Sequence, residues 1–320
     1  MQRRNSELVI LGLVMAAAFL LMWMLSPREF LQIGNFQSMA FQLPELGLLS
    51  TAMMITMLTA GINLSIIASA NLSGIVAAIV LTRFVGPDAA SGGSGALILL
   101  AICAGLGTSL LIGLANGLLI AVVEVSPILA TLGMMTLVNG LTIVFTKGYV
   151  IAGFPDLIRF IGNGLVVGIP MPMIIFAAAT AVIALILNRT ALGFNIYMIG
   201  SNATASRFSG VNNRAVLIRT YLISGLYSGF ASLIMISRFN SVATGYGSSY
   251  LLITILASVL GGTSTTGGFG RITGLVLSLA TLQIVSSGLN LLRVSAFLTI
   301  AIWGLILIIV MAINHLGRAR

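Results

Sequence analysis

Long apolar segments recur along the whole chain, and they constrain its fold more than any other feature. Among the 320 residues, 58% are hydrophobic and only 7% are charged, whereas a soluble domain carries roughly a quarter charged residues. Apolar segments of this kind can cross the hydrocarbon core of a bilayer. Since lipid offers no partner for exposed backbone groups, each crossing segment has to be helical. The sequence therefore predicts an all-α, polytopic membrane protein.

About ten segments are candidates for transmembrane helices. The eighth is too short to cross a bilayer alone, so it either continues into the glycine-rich residues after it or is re-entrant. The first follows Arg3 and Arg4, and no small-residue cleavage site follows it, which indicates a retained helix. The predicted spans are residues 8–25, 44–60, 62–82, 96–123, 126–146, 170–187, 215–237, 250–260, 272–292 and 295–314.

The positive charges predict which side of the membrane each connecting segment faces. With ten spans and a cytoplasmic N-terminus, the cytoplasmic segments hold nine Lys or Arg and the outer segments six. Residues 188–214 and their edge carry four Arg and no acid. Because cytoplasmic loops are enriched in Lys and Arg, we expect both termini in the cytoplasm. The basic residues share no single polar face, which argues against nucleic-acid binding.

Several kinds of chemistry lack the residues they need. The only lysine, Lys147, is not part of a G-x-x-x-x-G-K-[ST] loop, so this chain is not expected to bind ATP in that way. A single cysteine, Cys103, excludes an intramolecular disulfide and a cysteine-based metal site. The string Gly92-Gly93-Ser94-Gly95 is similar to one in intramembrane serine proteases, but the only histidine, His315, is predicted on the opposite side of the membrane. We expect no catalytic residue, metal or cofactor in this chain.

The acidic residues bear on ion coupling. The predicted boundaries place Glu45, Glu124 and Asp156 at span ends or in loops. Proton-coupled carriers usually hold ionisable residues inside their spans. This distribution weighs against a proton-driven secondary carrier.

Polar side chains in residues 61–74 are candidates for a translocation path. Asn63, Ser65 and Asn71 lie in an otherwise apolar span, where they can hydrogen-bond to other helices or contact a polar solute. Both interpretations stay open. Asn139, at mid-depth in the fifth span, is a weaker addition to the path.

Glycine spacing predicts close contacts between helices. GxxxG pairs occur at Gly113 and Gly117, at Gly225 and Gly229, and at Gly270 and Gly274.

Residues 188–214 form the largest predicted cytoplasmic segment. Ser201 or Asn202 can cap a short helix that runs through Arg207 and stops at Gly210. A short, capped, basic helix in the cytosol suits docking on a partner protein.

At this segment the sequence resembles the ribose-type permeases of bacterial ABC sugar importers, which include ribose, xylose and autoinducer-2 transporters. Gly61-Ile62-Asn63-Leu64-Ser65 is similar to the G-I-D-L-S segment of that family. Several motifs in fixed order carry the resemblance over nearly the whole chain. They lie at residues 190–193, 197–202, 205–211, 221–225, 245–247, 260–264, 267–270 and 288–292.

The resemblance implies a single transmembrane permease domain over residues 1–320 of a multi-pass protein in the bacterial inner membrane. It implies a cytoplasmic ATPase subunit that holds ATP and Mg²⁺, a periplasmic solute-binding protein, and a second permease copy or paralogue, all in contact with membrane lipid. Residues 188–214 would then be the ATPase-coupling loop. The coupling role is carried over to Gly200, Ser201, Asn202, Ala205, Arg207 and Gly210.

Two departures from the family pattern concern the solute. Asn63 stands where the family usually has Asp, and residues 251–257 lack the acids of the family's E-L-D-A-I-A-A stretch. We expect a monosaccharide or a related small polar solute. A nucleoside, an autoinducer-2-like compound or a vitamin, and a secondary carrier working alone, remain alternatives.

Overall fold

The computed structural model describes residues 2–85 and 94–318, with side chains for 8–84, 95–295 and 297–312. Gly92 and Gly93 of the protease-like string, and the side chains of Ser94 and His315, lie outside this part.

The described part of the chain folds into fourteen α-helices. The helices are α1 Gln2–Leu25, α2 Pro27–Phe30, α3 Ile33–Leu58, α4 Ile66–Val80 followed by a π-helical turn Leu81–Val85, α5 Ser94–Ala121, α6 Pro127–Thr146, α7 Asp156–Asn163, α8 Met171–Arg189, α9 Ala191–Ser201, α10 Ala203–Phe208, α11 Asn213–Phe239, α12 Tyr250–Leu260, α13 Ile272–Leu291 and α14 Ala296–Arg318.

Each predicted span coincides with a helix, and the chain is an all-α polytopic membrane protein as predicted. In the described residues, eight helices are long and apolar enough to cross a membrane. The apolar stretch Phe297–Ala312 of α14 is shorter, and so is α12. With 11 residues, α12 is about 16 Å long, roughly half the thickness of a hydrocarbon core. α12 ends at Leu260 and does not continue as a helix into the glycine-rich residues.

The third helix differs from its predicted boundaries. α3 begins at Ile33, eleven residues before the predicted start at 44. Glu45 is therefore near the middle of a buried helix and not at a span end, so the prediction that no span interior holds an acid is wrong. The polar residues Asn35, Gln37 and Gln42 interrupt the apolar pattern before Pro44, which is why the sequence placed the start too late.

The buried centre of the protein is built from α3, α4, α11 and α13. Their apolar side chains form the largest hydrophobic core, which includes Leu48, Met53, Ile66, Ile234 and Leu279. The apolar side chains of α1, α5, α6, α8 and α14 are much more exposed. Such exposed apolar faces are expected where helices meet lipid or a second membrane subunit.

The predicted glycine contacts are confirmed between α5 and α11. A Cβ atom added at Gly113 would lie 3.2 Å from the Cα of Gly225, and one added at Gly117 would lie 2.9 Å from the Cα of Ile218. Gly274 packs equally closely on the backbone of Gly261. At these positions the two backbones approach so closely that no side chain fits between them.

The described residues also contain four two-residue strands. β1 Ile151–Ala152 pairs antiparallel with β4 Ser241–Val242, with Ile151 opposite Val242. β2 Leu165–Val166 pairs antiparallel with β3 Ile169–Pro170. The first pair joins the connection after α6 to the one after α11, so both connections lie at the same end of the helices.

Candidate functional site

Asn63 lies in the break between α3 and α4, inside a buried hydrogen-bond network. Its carbonyl oxygen accepts from the Ser65 backbone N–H at 3.1 Å and from the Ser65 hydroxyl at 2.8 Å. Its amide donates to the Ser224 hydroxyl at 3.0 Å, and that hydroxyl donates to the Ala52 carbonyl at 2.9 Å. Asn116 donates to the Ser65 hydroxyl at 2.8 Å. The network ties the break to α3, α5 and α11.

A second contact fixes the same break to α6. The Thr131 hydroxyl accepts from the Leu64 N–H at 3.1 Å, and it can donate to the Ile62 carbonyl at 3.0 Å or to the Pro127 carbonyl of its own helix at 2.8 Å. Irregular backbone at membrane depth has to be satisfied by neighbouring protein in this way. Asn63 and Ser65 are 2% and 0% exposed, so in this structure both side chains join helices and neither faces an open space.

The structure separates Asn71 and Asn139 from that network. Asn71, on α4, lines a cavity of about 10 Å³ together with Ser232, Ser241 and Tyr246, which is room for about one water molecule. Asn139 is half-buried on α6 and lines neither this cavity nor the network. The four path residues predicted from sequence therefore occupy three different places.

Residues 188–214 fold into two helices. α9 begins after Thr190, and α10 begins after Asn202, whose side-chain oxygen accepts from the Ala205 N–H at 2.9 Å. The predicted cap is confirmed at Asn202, while Ser201 is the last residue of α9. Gly210 follows α10 with φ of +82°, a conformation that favours glycine, and this confirms the predicted stop.

Gly200 lies at a close contact of three chain segments. A Cβ added there would overlap the carbonyl oxygen of Leu58, at the end of α3, and the backbone nitrogen of Gly268. The Gly268 N–H donates to the same Leu58 oxygen at 2.9 Å. α9 therefore rests directly on the end of α3, where the break that holds Asn63 begins.

α10 is attached to the start of α11 by two side chains. The Ser206 hydroxyl donates to the Asn213 side-chain oxygen at 3.0 Å, and the Asn213 amide donates to the Ala203 carbonyl at 2.8 Å. Ser206 is buried, whereas Arg207 and Phe208 are exposed, Phe208 by 88%. The exposed phenyl ring was missed in the sequence, although a large apolar residue next to a basic one in a polar segment could have indicated it.

Sequence reasoning also missed a buried charge cluster at the other end of α11. The Glu45 carboxylate on α3 is 0% exposed and lies 2.7 Å from the guanidinium of Arg238. Tyr250, at the start of α12, donates its hydroxyl to the same carboxylate. In the sequence, Glu45 and Arg238 each lie next to an end of a predicted span, but their proximity depends on contacts about 200 residues apart.

Comparison with known proteins identifies the family. Residues 35–311 match the family described as branched-chain amino acid transport system / permease component. The ribose import permease protein RbsC of Bacillus subtilis is 34% identical to the chain, over 90% of this chain and 86% of that protein. RbsC of Escherichia coli K12 is 32% identical over 91% and 88%, and the D-allose transport system permease protein AlsC of the same organism is 29% identical over 91% and 86%.

No solved structure matches the chain. The family match and the RbsC relatives agree with the motifs at residues 61–65 and 190–292. The chain therefore belongs to the permease family of bacterial ABC importers, in its ribose-type branch, and is a multi-pass protein of the inner membrane that works as a transport permease subunit.

Proposed function

We propose that this chain forms the translocation path for a monosaccharide or a related small polar solute, delivered by a periplasmic binding protein. Relatives named for ribose, D-allose and galactose/methyl galactoside transport support this solute class. ATP and Mg²⁺ bind a separate cytoplasmic ATPase subunit, and a second copy of the chain or a paralogue completes the path. The exposed apolar faces of α5, α6 and α14 offer surface for that second subunit.

The two termini lie in the cytoplasm in this proposal, as the basic residues predict. α9 and α10 then face the cytoplasm and form the ATPase-coupling element. Arg207 and Phe208, exposed next to each other on α10, suit contact with the ATPase surface. The coupling residues are Gly200, Ser201, Asn202, Ala205, Arg207 and Gly210.

α11 suits the transmission of motion from the ATPase to the path. Its 27 residues extend about 40 Å. Its first residue holds α10 through Asn213, its middle holds Asn63 through Ser224, and its end holds Glu45 through Arg238. A shift of α10 driven by the ATPase would move α11 as a rigid body and change both contacts, which is a common way of switching between two states.

Asn63, Ser65, Asn71 and Asn139 remain the proposed path residues. Polar side chains inside a membrane protein are costly and usually functional. Their contacts in this structure support a closed state, in which the Asn63 network fixes the break and Asn71 lines a cavity of about one water. Opening would free these side chains for the solute.

The same mechanism with a nucleoside, an autoinducer-2-like compound or a vitamin is the nearest alternative. One observation favours the alternative of a secondary carrier working alone: the Glu45 carboxylate lies in the interior of α3. The contact of this carboxylate with Arg238 at 2.7 Å weakens that alternative, since the acid already has a partner within the protein.

Co-purification with the ATPase tests the coupling element. Arg207→Glu reverses the charge on α10, and we expect it to abolish both ATPase association and coupled uptake while the chain still inserts into the membrane. Arg28→Glu is the matched control, because Arg28 is also exposed but lies on α2, outside residues 188–214. If both variants retain the ATPase and transport normally, α10 is not the docking element.

A further inference from the structure

A line of polar contacts joins α3 to α13 in the half of the protein that holds Glu45. The Ser287 hydroxyl donates to the Asn35 side-chain oxygen at 2.6 Å, and the Gln283 amide donates to the Gln42 side-chain oxygen at 3.3 Å. Uncharged polar contacts of this kind can form simply because they hold helices together, without any ligand. Closely packed helices, however, leave few voids larger than a water molecule between them.

Here there is room, because a cavity of about 60 Å³ opens beside Gln42 and Gln283. Tyr250, Ser286 and Trp303 line it as well, together with aliphatic side chains of α3, α12 and α13. Gln283 and Trp303 are buried at 5% and 4% exposure, whereas Gln42, Tyr250 and Ser286 are partly exposed. The cavity thus has a buried floor and a mouth.

We propose that this cavity binds one neutral sugar ring, the solute that the chain transports. The inference rests on the proposed function and assigns the solute a site within a single subunit. The site is distinct from the Asn63 network and from Asn71, and none of its lining residues belongs to the motifs that carry the family resemblance.

The side chains fit a polyol. Among the described residues, the Gln42 amide N–H groups and the Gln283 carbonyl oxygen have no hydrogen-bond partner, so the pair offers both donors and an acceptor. Ser286 adds a hydroxyl group, which can donate and accept. The Trp303 indole provides a flat apolar face, and pockets for small molecules combine such faces with a few polar groups that fix orientation.

The charge of the site selects a neutral ligand. None of the lining residues is acidic, and the nearby Glu45, which accepts from Tyr250, is paired with Arg238 at 2.7 Å. Tyr250, a lining residue, donates its hydroxyl hydrogen to Glu45, so this hydroxyl can only accept a hydrogen bond from a ligand. An anionic or cationic solute would meet no unpaired opposite charge among these residues.

The volume fits one ring. A water molecule needs about 10 to 15 Å³ measured in the same way, so the cavity holds a cluster of about four to six waters. At about 30 Å³ of liquid volume for each water, this equals the bulk of a monosaccharide and is too small for a disaccharide.

Tryptophan fluorescence provides a direct test, because the chain has only two tryptophans, Trp23 and Trp303. Trp23 is on α1 and lines no part of the cavity. In the full-length Trp23→Phe variant, reconstituted in lipid nanodiscs, Trp303 is the only indole. We expect D-ribose, D-allose or D-galactose to change its emission in a saturable way.

Substitution of the buried lining residue Gln283 then tests whether the sugar binds in this cavity. Gln283→Leu in the same background should raise the apparent Kd about fivefold to tenfold, the effect of one or two lost hydrogen bonds. Gln37→Leu is the matched control, since Gln37 is an exposed glutamine on α3. If Gln283→Leu does not fold, Ser286→Ala provides a smaller change in the same site. We expect Ser286→Ala to raise the apparent Kd as well.

Each outcome decides the proposal. A saturable response weakened by Gln283→Leu or Ser286→Ala and unchanged by Gln37→Leu supports the site. No saturable response to any of the three sugars, or equal responses in all variants, overturns it. ATP-dependent uptake by the wild-type chain is measured in parallel and tests the proposed function independently. Uptake without a sugar-dependent fluorescence response would overturn the site and leave the proposed function in place.

Discussion

The carboxylate of Glu45 and the guanidinium of Arg238 form an ion pair of 2.7 Å that joins the middle of α3 to the end of α11. The Glu45 side chain is fully buried and that of Arg238 is 18% exposed. Arg238 also lies over the ring of Phe239, 5.1 Å from its centroid. The contact fixes the end of the helix that, in our proposal, carries motion from the ATPase.

Removal of one partner should be much more harmful than removal of both. Glu45→Leu or Arg238→Leu alone leaves a buried charge unpaired, and we expect each to lower the free energy of unfolding by about 3 kcal/mol. The double variant should lose far less, because no unpaired charge remains. Reversible unfolding in SDS measures the free energy of unfolding of the wild type, the two single variants and the double variant. If the losses of the single variants add up in the double variant, the two side chains do not interact in the folded protein.

The Asn63 network predicts a second coupled pair. Asn63→Ala removes the partner of Ser65 and Ser224 in a buried setting, so we expect a loss of about 2 kcal/mol or more in the free energy of unfolding. Ser224→Ala should cost less once Asn63 is already alanine. Equal effects of Ser224→Ala in both backgrounds, in the same unfolding assay, would mean that the two side chains act independently.

The Gly200 contact predicts a strong effect of a single methyl group. In Gly200→Ala the new Cβ overlaps the backbone of Leu58 and Gly268, so α9 must move away from α3 and coupled uptake should be largely lost. Gly12→Ala is the matched control, because a Cβ at Gly12 on α1, outside the faces proposed for the second subunit, meets no described atom within 4 Å. This control should be neutral or more stable by about 0.5 to 1 kcal/mol, as expected for alanine in a helix. Normal uptake by Gly200→Ala would contradict the contact.

The attachment of α10 to α11 predicts uncoupling. Asn213→Ala and Ser206→Ala each break the connection between the two helices, so we expect uptake to fall several-fold while the reconstituted complex still hydrolyses ATP. Ser209→Ala serves as the control, since the Ser209 hydroxyl bonds, within the described part of the chain, only to the Ala205 carbonyl of its own helix end. Uptake and ATP hydrolysis that fall in parallel would show that α10 moves independently of α11.

The parts of the structure predicted from sequence depend on local rules. Apolar segments located a helix at each predicted span, because a span that is not part of a closed barrel has to be helical in lipid. The Asn202 cap and the Gly210 stop were predicted because a helix end needs local partners. The small-residue spacing predicted close backbone contacts at Gly113 and at Gly225, although not that these two residues pack on each other.

The parts that were missed depend on distant contacts. The start of α3 was placed eleven residues late because Asn35 and Gln42 look unsuited to a span. Their polar groups are paired with Ser287 and Gln283, more than 240 residues further along the chain. The same is true of Glu45, whose partners lie at the ends of two other helices. Polar residues in apolar segments were therefore the informative positions, and only the folded structure identifies their partners.

Uptake into proteoliposomes tests the central claim most directly. The wild-type chain is reconstituted with its ATPase subunit and binding protein, and accumulation of radiolabelled monosaccharide is measured with and without ATP, and with and without the ATPase. We predict accumulation only when ATP, the ATPase and the binding protein are all present. Accumulation that persists without ATP and without the ATPase would contradict the account and identify the chain as a carrier that works alone.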